Sequence, residues 1–392
     1  MQPLDTDGPA STPLRFSAPD THFGDGVVDR LGGILPQLGI EAPLIVSDEG
    51  VEDAGILAAT IDSIDAPVTM HYATTEPSTD DFDELPTADV DGVVAIGGGS
   101  CLDTAKLAAV LLAHGGHAGE YVGVDTVPGP IAPLVAVPTT SGTGSQATQT
   151  AVIHHDGVKR GVSDESLRPD VAVVDPTLTF GLPPEITARS GFDAFVHALE
   201  SLLARDYRWV EPRPITYQGA NPISRSLAWR ALQLVHGSLE RAVFDGDDRE
   251  ARRAMSLGSH LAGTAFSASG LGAVHALAST VGGLTDRPHG ECLAASLRAG
   301  LEFNRPVRGE HYAAIARGLG VGETADELLA ESERLRDALG LPDSFAAVGL
   351  SADDVDAMVE NTLVQERRLA TNPRTVTEDL RQFLLSTAFN DE

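Results

Sequence analysis

Four short apolar runs constrain the fold of this chain more than any other feature of its sequence. Each run ends in a turn, and the runs lie within residues 42–50, 91–100, 131–145 and 170–178. Short continuous apolar runs are typical of strands that are buried on both faces of a parallel sheet. We therefore predict an α/β domain in the first half of the chain.

The sequence pattern changes after Pro183 and Pro184. Helical patterns with almost no strand signal follow near residues 187–204, 224–244, 250–267, 309–318 and 376–388. One irregular stretch, residues 205–222, interrupts them and is predicted to be an ordered loop. The sequence therefore predicts two domains, an α/β domain over residues 1–184 and an all-α domain over residues 185–392.

The charge composition excludes two classes of partner. The chain carries 57 acidic and 27 basic side chains, a net charge of −30, and only two of its cations are lysines, Lys106 and Lys159. Because such a surface repels other anions, neither nucleic acid nor an anionic membrane is an expected partner. At molar salt this self-repulsion is screened, so the composition favours a halophilic protein from a salt-rich cytoplasm. An ordinary acidic protein from a GC-rich genome is the alternative.

The sequence also indicates a cellular compartment. No apolar run approaches the roughly 18 to 20 residues that span a bilayer, and residues 1–16 lack the cationic and apolar regions of a signal peptide. Two cysteines, Cys101 and Cys292, are too few for a disulfide framework or a thiolate metal site. We expect a reduced, cytoplasmic protein.

A glycine-rich turn marks a candidate nucleotide site. Gly97, Gly98, Gly99 and Ser100 directly follow the run GVVAI and open a predicted helix, in which Ser100 and Asp103 have the spacing of a helix cap. Glycines let the backbone approach a ligand, and the new helix offers free N–H groups to a diphosphate. A second loop, residues 138–145, ends the next strand, so both loops border one crevice. Two tight turns without a ligand are the alternative.

Other residues refine the predicted cofactor. Asp48 follows the strand PLIV, where a carboxylate accepts hydrogen bonds from ribose and repels a 2′-phosphate, so NAD is favoured over NADP. A helix cap is the alternative for Asp48. Lys106 and Lys159 are retained in a chain almost free of lysine, which favours positions that suit a compact cation rather than a forked guanidinium. The alternative is chance retention.

A carboxylate and three histidines form a candidate metal site. Asp193 and His197 have i, i+4 spacing, which places both side chains on one helix face. His275 and His289 follow in the segments GLGAVHALAS and RPHG. This ligand set suits Fe²⁺ or Zn²⁺ and leaves a coordination position open, which indicates catalysis. A helix cap, a salt bridge and ordinary buried histidines are the alternatives.

These motifs together resemble the iron-containing (group III) alcohol dehydrogenase family, in order and over nearly the whole chain. The resemblance implies a Rossmann-like N-terminal domain, an all-α C-terminal domain of the dehydroquinate synthase-like fold, and an active site between them. It implies that Asp193, His197, His275 and His289 bind the metal. The residues that it implies for the dinucleotide are Gly97 to Ser100, Asp103, Thr139, Thr140, Thr143 and Lys159, with Asp48 on the adenosine ribose.

Two features depart from the common pattern of that family. Ser279 stands four residues after the third ligand, where family members commonly have a histidine, and it is a weak candidate for the proton relay. The loop 212–224 resembles the hydroxyacid-oxoacid transhydrogenase branch, in which the nicotinamide stays bound. Four arginines near this loop are candidates for holding a substrate carboxylate, with pairing to the acidic surface as the alternative. They are Arg205, Arg208, Arg213 and Arg225.

We therefore predict a metal-dependent oxidoreductase that transfers hydride between NAD and an alcohol or hydroxyacid. Alternatives are a transhydrogenase with bound NAD and a metal- and NAD-dependent lyase of the dehydroquinate synthase type. The lyase must bind a phosphate, for which a chain with two lysines is a poor fit. A non-catalytic nucleotide sensor has no need of an open metal site. The expected partners are a small-molecule substrate and further copies of the chain, in a homodimer or larger homo-oligomer.

Overall fold

The computed structural model describes residues 13–156, 158–211 and 217–389. Its strands are β1 (Asp20–Phe23), β2 (Pro43–Ser47), β3 (Thr69–Tyr72), β4 (Gly92–Gly97), β5 (Gly123–Val124), β6 (Leu134–Pro138), β7 (Thr150–His155), β8 (Val158–Ser163) and β9 (Val171–Val174). Its helices are α1 (Leu31–Ile34), α2 (Glu49–Asp53), α3 (Ile56–Ile61), α4 (Gly99–His114), α5 (Pro184–Leu203), α6 (Pro222–Phe244), α7 (Arg249–Ser269), α8 (Ala273–Thr285), α9 (His289–Leu319), α10 (Ala325–Ala338), α11 (Val355–Leu363), α12 (Glu366–Ala370) and α13 (Asp379–Thr387).

The four apolar runs form the centre of a parallel sheet, as predicted. The sheet has six strands in the order β1-β9-β6-β4-β2-β3, and all neighbours are parallel. Strands β2, β4, β6 and β9 are buried along their whole length, because apolar clusters cover both faces of the sheet. The chain order reverses between β2 and β4, and the carboxyl ends of strands at such a switch point border a ligand crevice.

A second, smaller sheet was not predicted. It contains β5, β8 and β7, with β7 and β8 as an antiparallel hairpin. His154 and His155 end β7, and His154 pairs with Lys159 across the hairpin. The turn comes one residue later, at Asp156, which has a φ of 51°.

The second half of the described chain is helical, as predicted, and has its own core. Helices α5, α6, α7, α8 and α9 contribute most of that core. The predicted segments did not include α8, α10, α11 or α12, and they covered only residues 309–318 of α9. Pro306 lies inside α9, and a proline argues against a helix interior because it removes one hydrogen bond. The division of the chain between residues 184 and 185 stays a prediction.

Across the described residues, no single helix combines the length and the apolar character needed to cross a bilayer. Helices α7 and α8 meet the length and composition criterion only together, and they are bent by 101° at their junction.

Candidate active site

Three helices bring one carboxylate and three imidazoles together. Asp193 and His197 lie one turn apart on α5, His275 lies in the first turn of α8, and His289 begins α9. The Nε2 atoms of His197 and His275 are each 3.4 Å from Oδ1 of Asp193, and Nε2 of His289 is 3.9 Å from the same oxygen. Ligand atoms of Asp193, His275 and His289 all lie within 4.8 Å of one another. The sequence-predicted ligands therefore converge on one point.

The chemistry of this cluster fits a divalent metal. Burial opposes ionisation of Asp193, but the three histidines hold its pKa well below the usual range. Burial lowers the pKa of His197 to about 3, so this imidazole is neutral and keeps a lone pair for a metal. The Asp193, His197 and His275 side chains are 2 to 6% exposed, whereas that of His289 is 42% exposed. The accessible side of the site is therefore the side of His289.

Glu200 orients one ligand and was missed by the sequence analysis. Its Oε2 is 2.7 Å from Nδ1 of His275, and its carboxylate also accepts the backbone N–H groups of Gly272 and Val274 at the start of α8. Burial lowers the pKa of His275, but the hydrogen bonds to Asp193 and Glu200 outweigh burial, and the net direction is upward. A carboxylate on the far nitrogen fixes the tautomer of a metal-binding histidine. The spacing of Glu200, seven residues after Asp193, was the available clue.

Ser279 lies on α8 one turn after His275 and is partly exposed. This places its hydroxyl on the helix that carries a candidate ligand. Its role in proton transfer stays a prediction.

The two glycine-containing loops pack against each other at the end of the sheet. The N–H of Thr139 donates to the carbonyl of Gly97 at 3.0 Å. A Cβ on Gly99 would lie 2.7 Å from Cγ2 of Thr143, and one on Gly98 would lie 3.5 Å from Cγ2 of Thr140. Position 99 therefore requires glycine, and the loops share one crevice at the N-terminus of α4. Whether these residues contact a dinucleotide stays a prediction.

The second loop also reaches the metal cluster. A Cβ on Gly142 would lie 2.6 Å from Cβ of Ser190, which is one turn before Asp193 on α5. Gly144 has a φ of +65° and packs directly against Gly263 of α7, where a Cβ would lie 2.6 Å from the Gly263 Cα. Loop 138–145 thus joins the glycine turn to the helices that carry the candidate ligands.

The predicted helix cap of Ser100 and Asp103 is wrong. The residue that caps α4 is Gly98, without a side-chain hydrogen bond, and Ser100 donates instead to the carbonyl of Thr75 at 2.6 Å. Asp103 lies inside the helix and accepts from the Ser145 hydroxyl at 2.5 Å and the Val152 N–H at 2.9 Å. Asp103 therefore ties α4 to loop 138–145 and β7.

Asp48 lies at the switch point of the sheet, where the predicted ribose acceptor belongs. Its Oδ1 accepts the N–H of Val51 and caps α2, and its Oδ2 accepts the thiol of Cys101 at 3.0 Å. Burial, and then Asp48, raise the pKa of the Cys101 thiol far above its usual range, so this thiol stays protonated. Asp48 therefore has the alternative role that the sequence analysis named for it, a helix cap. Its contact with ribose stays a prediction.

The two lysines occupy different environments. Lys106 is fully buried, and its ammonium donates to Ser145 Oγ at 2.7 Å, Thr148 Oγ1 at 2.9 Å and the Thr150 carbonyl at 2.6 Å. Three oxygens around one nitrogen suit a compact ammonium better than a planar fork. Lys159 is ion-paired with Glu76 at 2.8 Å and is partly exposed, and its contact with the dinucleotide stays a prediction.

The arginines proposed for a substrate carboxylate lie away from the metal cluster. Arg208 and Arg225 both pair with Asp206, and Arg205 donates to Thr375. They line a cavity of about 550 Å³ beyond the C-terminus of α5. Ten residues of helix separate Asp193 from Leu203, about 15 Å. Arg208 and Arg225 therefore show the alternative role, pairing with an acidic residue. Arg213 lies outside the described residues.

Comparison with known proteins decides the family. Residues 18–176 match the family model of iron-containing alcohol dehydrogenases, and residues 187–389 match the model of the C-terminal region of the same family. The chain belongs to the iron-containing alcohol dehydrogenase family. This membership confirms the predicted family, the fold and the oxidoreductase activity of alcohol dehydrogenase type on a small alcohol or aldehyde.

Characterised members of the alcohol dehydrogenase family are similar over almost their full length. The NAD-dependent methanol dehydrogenase of Bacillus methanolicus is 33% identical over 388 residues, which cover 94% of this chain and 98% of that protein. The mitochondrial hydroxyacid-oxoacid transhydrogenase of Rattus norvegicus is 32% identical over 409 residues, which cover 93% and 87%. The solved alcohol dehydrogenase of Oenococcus oeni has a TM-score of 0.87 at 32% identity, covering 96% of this chain and 100% of that one.

Proposed function

We propose that the protein interconverts an alcohol and an aldehyde with NAD, using Fe²⁺, or Zn²⁺, held by Asp193, His197, His275 and His289. The observation that carries this proposal is the convergence of three Nε2 atoms on one oxygen of Asp193. Loop 138–145 supports it, because the loop contacts both the glycine turn and α5. Hydride transfer requires the cofactor and the metal cluster to share one cleft.

The chain's own residues have distinct tasks in this reaction. When bound, the divalent ion supplies Lewis acidity at the substrate oxygen. The Asp193 carboxylate offsets positive charge at the centre, and Glu200 holds His275 with Nε2 directed towards Asp193. The N-terminus of α4 at Gly98 and Gly99 binds the pyrophosphate through free N–H groups. The proton leaves through water on the side of exposed His289, and Ser279 is the candidate hydroxyl on that route.

An assay in molar KCl tests this proposal, because the acidic composition favours high salt. We expect NADH formation when metal-free protein is reloaded anaerobically with Fe²⁺ and given NAD and 1-butanol. Removal of the metal with a chelator should lower the rate at least about a hundredfold, since the Lewis acid contributes several kcal/mol to catalysis. Unchanged turnover in the metal-free protein, or no turnover with Fe²⁺ or Zn²⁺ and any of a series of alcohols, contradicts the proposal.

A second candidate function is hydride transfer between a hydroxyacid and an oxoacid on bound NAD. Tyr217, which lies within the loop 212–224 that resembles the transhydrogenase branch, favours it. The Tyr217 hydroxyl is 2.6 Å from Thr150 Oγ1 on β7, and the next residue, Gln218, donates its N–H to the Ala268 carbonyl on α7. The loop therefore connects the hairpin to the helical part across the cleft, which is a means of slowing cofactor release.

The transhydrogenase candidate is tested without added nucleotide. Protein loaded with Fe²⁺ receives 4-hydroxybutyrate and 2-oxoglutarate, and 2-hydroxyglutarate is measured by mass spectrometry. Formation over many turnovers supports retained cofactor, and nucleotide should then be released on denaturation. If product forms only after NAD is added, with NADH appearing in solution, the protein is a dehydrogenase with an exchangeable cofactor. We further propose, from sequence alone, a salt-adapted cytoplasmic homo-oligomer.

A further inference from the structure

Two consecutive arginines on α12, Arg367 and Arg368, lie where the two halves of the molecule meet. Arg367 donates from Nη1 to the hydroxyls of Thr150, at 3.1 Å, and Ser163, both on the β7–β8 hairpin. Its guanidinium carbon is 5.1 Å from the centre of the Tyr217 ring. Arg367 is therefore held by the hairpin and by the loop after α5, and it fixes α12 at the cleft.

Gln365 places Arg368 beside the helix that carries His275. The Gln365 amide nitrogen donates to the Ala276 carbonyl at 2.9 Å and to Thr280 Oγ1 at 3.0 Å, both on α8. Its amide oxygen accepts Nη1 of Arg368 at 2.9 Å. Ala276 directly follows the candidate ligand His275 in α8. Arg368 thus lies beside the part of α8 that carries one candidate ligand of the metal cluster.

Arg368 has no anionic partner within the described residues. Gln365 Oε1 accepts from Nη1, while the Nε atom is buried and has no hydrogen bond there. Two other arginines that have no ion pair within the described residues donate to backbone carbonyls instead. Arg308 donates to the carbonyls of Leu203 and Ala204, and Arg252 donates to that of Leu182.

The acidic residue that acts most directly on Arg368 is already occupied. Glu200 is one of the groups that raise the pKa of Arg368, but its carboxylate is used by His275 and the N-terminus of α8. Burial, followed by repulsion from Arg367, lowers the pKa of Arg368 to about 10, so the side chain is still a cation at neutral pH. An unpaired cation beside the metal cluster, in a chain of net charge −30, is a site for an anion that the chain does not itself provide.

We propose that Arg368 binds the carboxylate of the substrate, with Arg367 as a positioning residue, and that the preferred substrates are hydroxycarboxylates and the matching aldehyde acids. This inference rests on the proposed function, because it places the reacting hydroxyl of the same molecule at the metal cluster. A guanidinium binds a carboxylate through two parallel N–H···O bonds, and Nε with one Nη forms such a pair of donors. The phosphates of the cofactor are the other anions in this cleft, and the glycine turn already offers them a site.

Two substrates of equal chain length test the proposal, 4-hydroxybutyrate and 1-butanol, on wild-type protein, Arg368→Met and Arg368→Lys. The wild type should prefer 4-hydroxybutyrate in kcat/KM. Arg368→Met should raise KM for 4-hydroxybutyrate about 10- to 100-fold, the usual value of a hydrogen-bonded charge. Its kcat/KM for 1-butanol and its KM for NAD should change less than about threefold. Arg368→Lys should restore part of the binding, because it keeps the positive charge but lacks the two parallel N–H donors of a guanidinium.

An exposed arginine and a binding measurement provide the controls. Arg381→Met removes the same charge from an exposed pair with Asp356, and it should leave the kinetics with both substrates unchanged. Calorimetric titration of butyrate into the NAD-loaded protein measures carboxylate binding without turnover, and Arg368→Met should weaken it about as much as it raises KM.

Several outcomes overturn the inference. Equal losses for both substrates in Arg368→Met indicate a structural role, and a raised KM for NAD indicates a cofactor phosphate as the anion. No preference of the wild type for the carboxylate, with active 1-butanol turnover, removes the inference but leaves the proposed function intact. Inactivity of the Fe²⁺-loaded wild type with every alcohol, by contrast, removes the proposed function itself, and the butyrate titration then still reports on Arg368.

Discussion

Replacing Asp193 by alanine should lower kcat/KM at least about a thousandfold, equivalent to about 4 kcal/mol, and should remove the bound metal. One oxygen of Asp193 lies 3.4 to 3.9 Å from all three imidazoles. Without this carboxylate, the three imidazoles can keep their positions, but the site loses the negative charge that favours a divalent cation. Metal content by mass spectrometry and kcat/KM on the same sample measure the two effects together.

Glu200→Gln is the matched control for Asp193→Ala. It removes a carboxylate charge that does not face the predicted metal position directly. Glu200 contacts Nδ1 of His275, so the imidazole ring lies between this carboxylate and the metal position. Loss of such an outer partner typically weakens metal affinity about 10- to 100-fold. Activity of Glu200→Gln should therefore return at high Fe²⁺, whereas that of Asp193→Ala should not. If Asp193→Ala keeps both its metal and its activity while remaining folded by circular dichroism, Asp193 is not a ligand.

Lys106→Met should lower the free energy of unfolding by about 3 to 5 kcal/mol, the usual cost of removing one member of a buried charged cluster. The substitution leaves three oxygens, on Ser145, Thr148 and Thr150, without their shared donor. It also leaves the buried Asp103 carboxylate, 3.8 Å away, without a cation. Urea denaturation at constant high salt measures the change.

The chain's other lysine provides the control. Lys159→Met removes a partly exposed ion pair with Glu76, which is worth about 0 to 1 kcal/mol. Lys106→Arg keeps the charge but places a larger, planar guanidinium where the three oxygens surround a compact ammonium. It should therefore also destabilise the protein. If Lys106→Met is as stable as the wild type, the apolar side chain fills the site and the hydrogen bonds of Lys106 add no net stability.

The destabilisation by Lys106→Met should also depend on pH. Burial lowers the pKa of Lys106 to about 8, whereas an unfolded lysine titrates near about 10.4. Between these values the unfolded chain binds more protons than the folded one, so this group makes the free energy of unfolding rise with pH. The variant lacks the group, and the difference between wild type and Lys106→Met should therefore widen from pH 8 to pH 10.

Local sequence determined much of the fold and of the metal cluster. The buried strands are visible as continuous apolar runs, because a strand covered on both faces needs apolar side chains at every position. Asp193 and His197 are visible as a pair because one helical turn joins them. Pro306 shows the limit of such rules, since α9 continues through it. Pro306 itself is exposed, but buried residues of α9 lie on both sides of it, up to Asn304 and from Tyr312 onward. Their packing outweighs a local preference that is strong in an isolated helix.

What the sequence by itself determined was therefore the set of local elements, the four candidate ligands and the class of chemistry, since each depends on spacings of a few residues. Only the tertiary structure decided which distant groups satisfy one another. It placed Glu200 on His275, gave Lys106 three oxygen partners, paired Arg225 with Asp206 and, within the described residues, left Arg368 without an anionic partner. Charge and hydrogen bonding act through space, and contacts between residues 19 to 75 positions apart have no counterpart in local pattern.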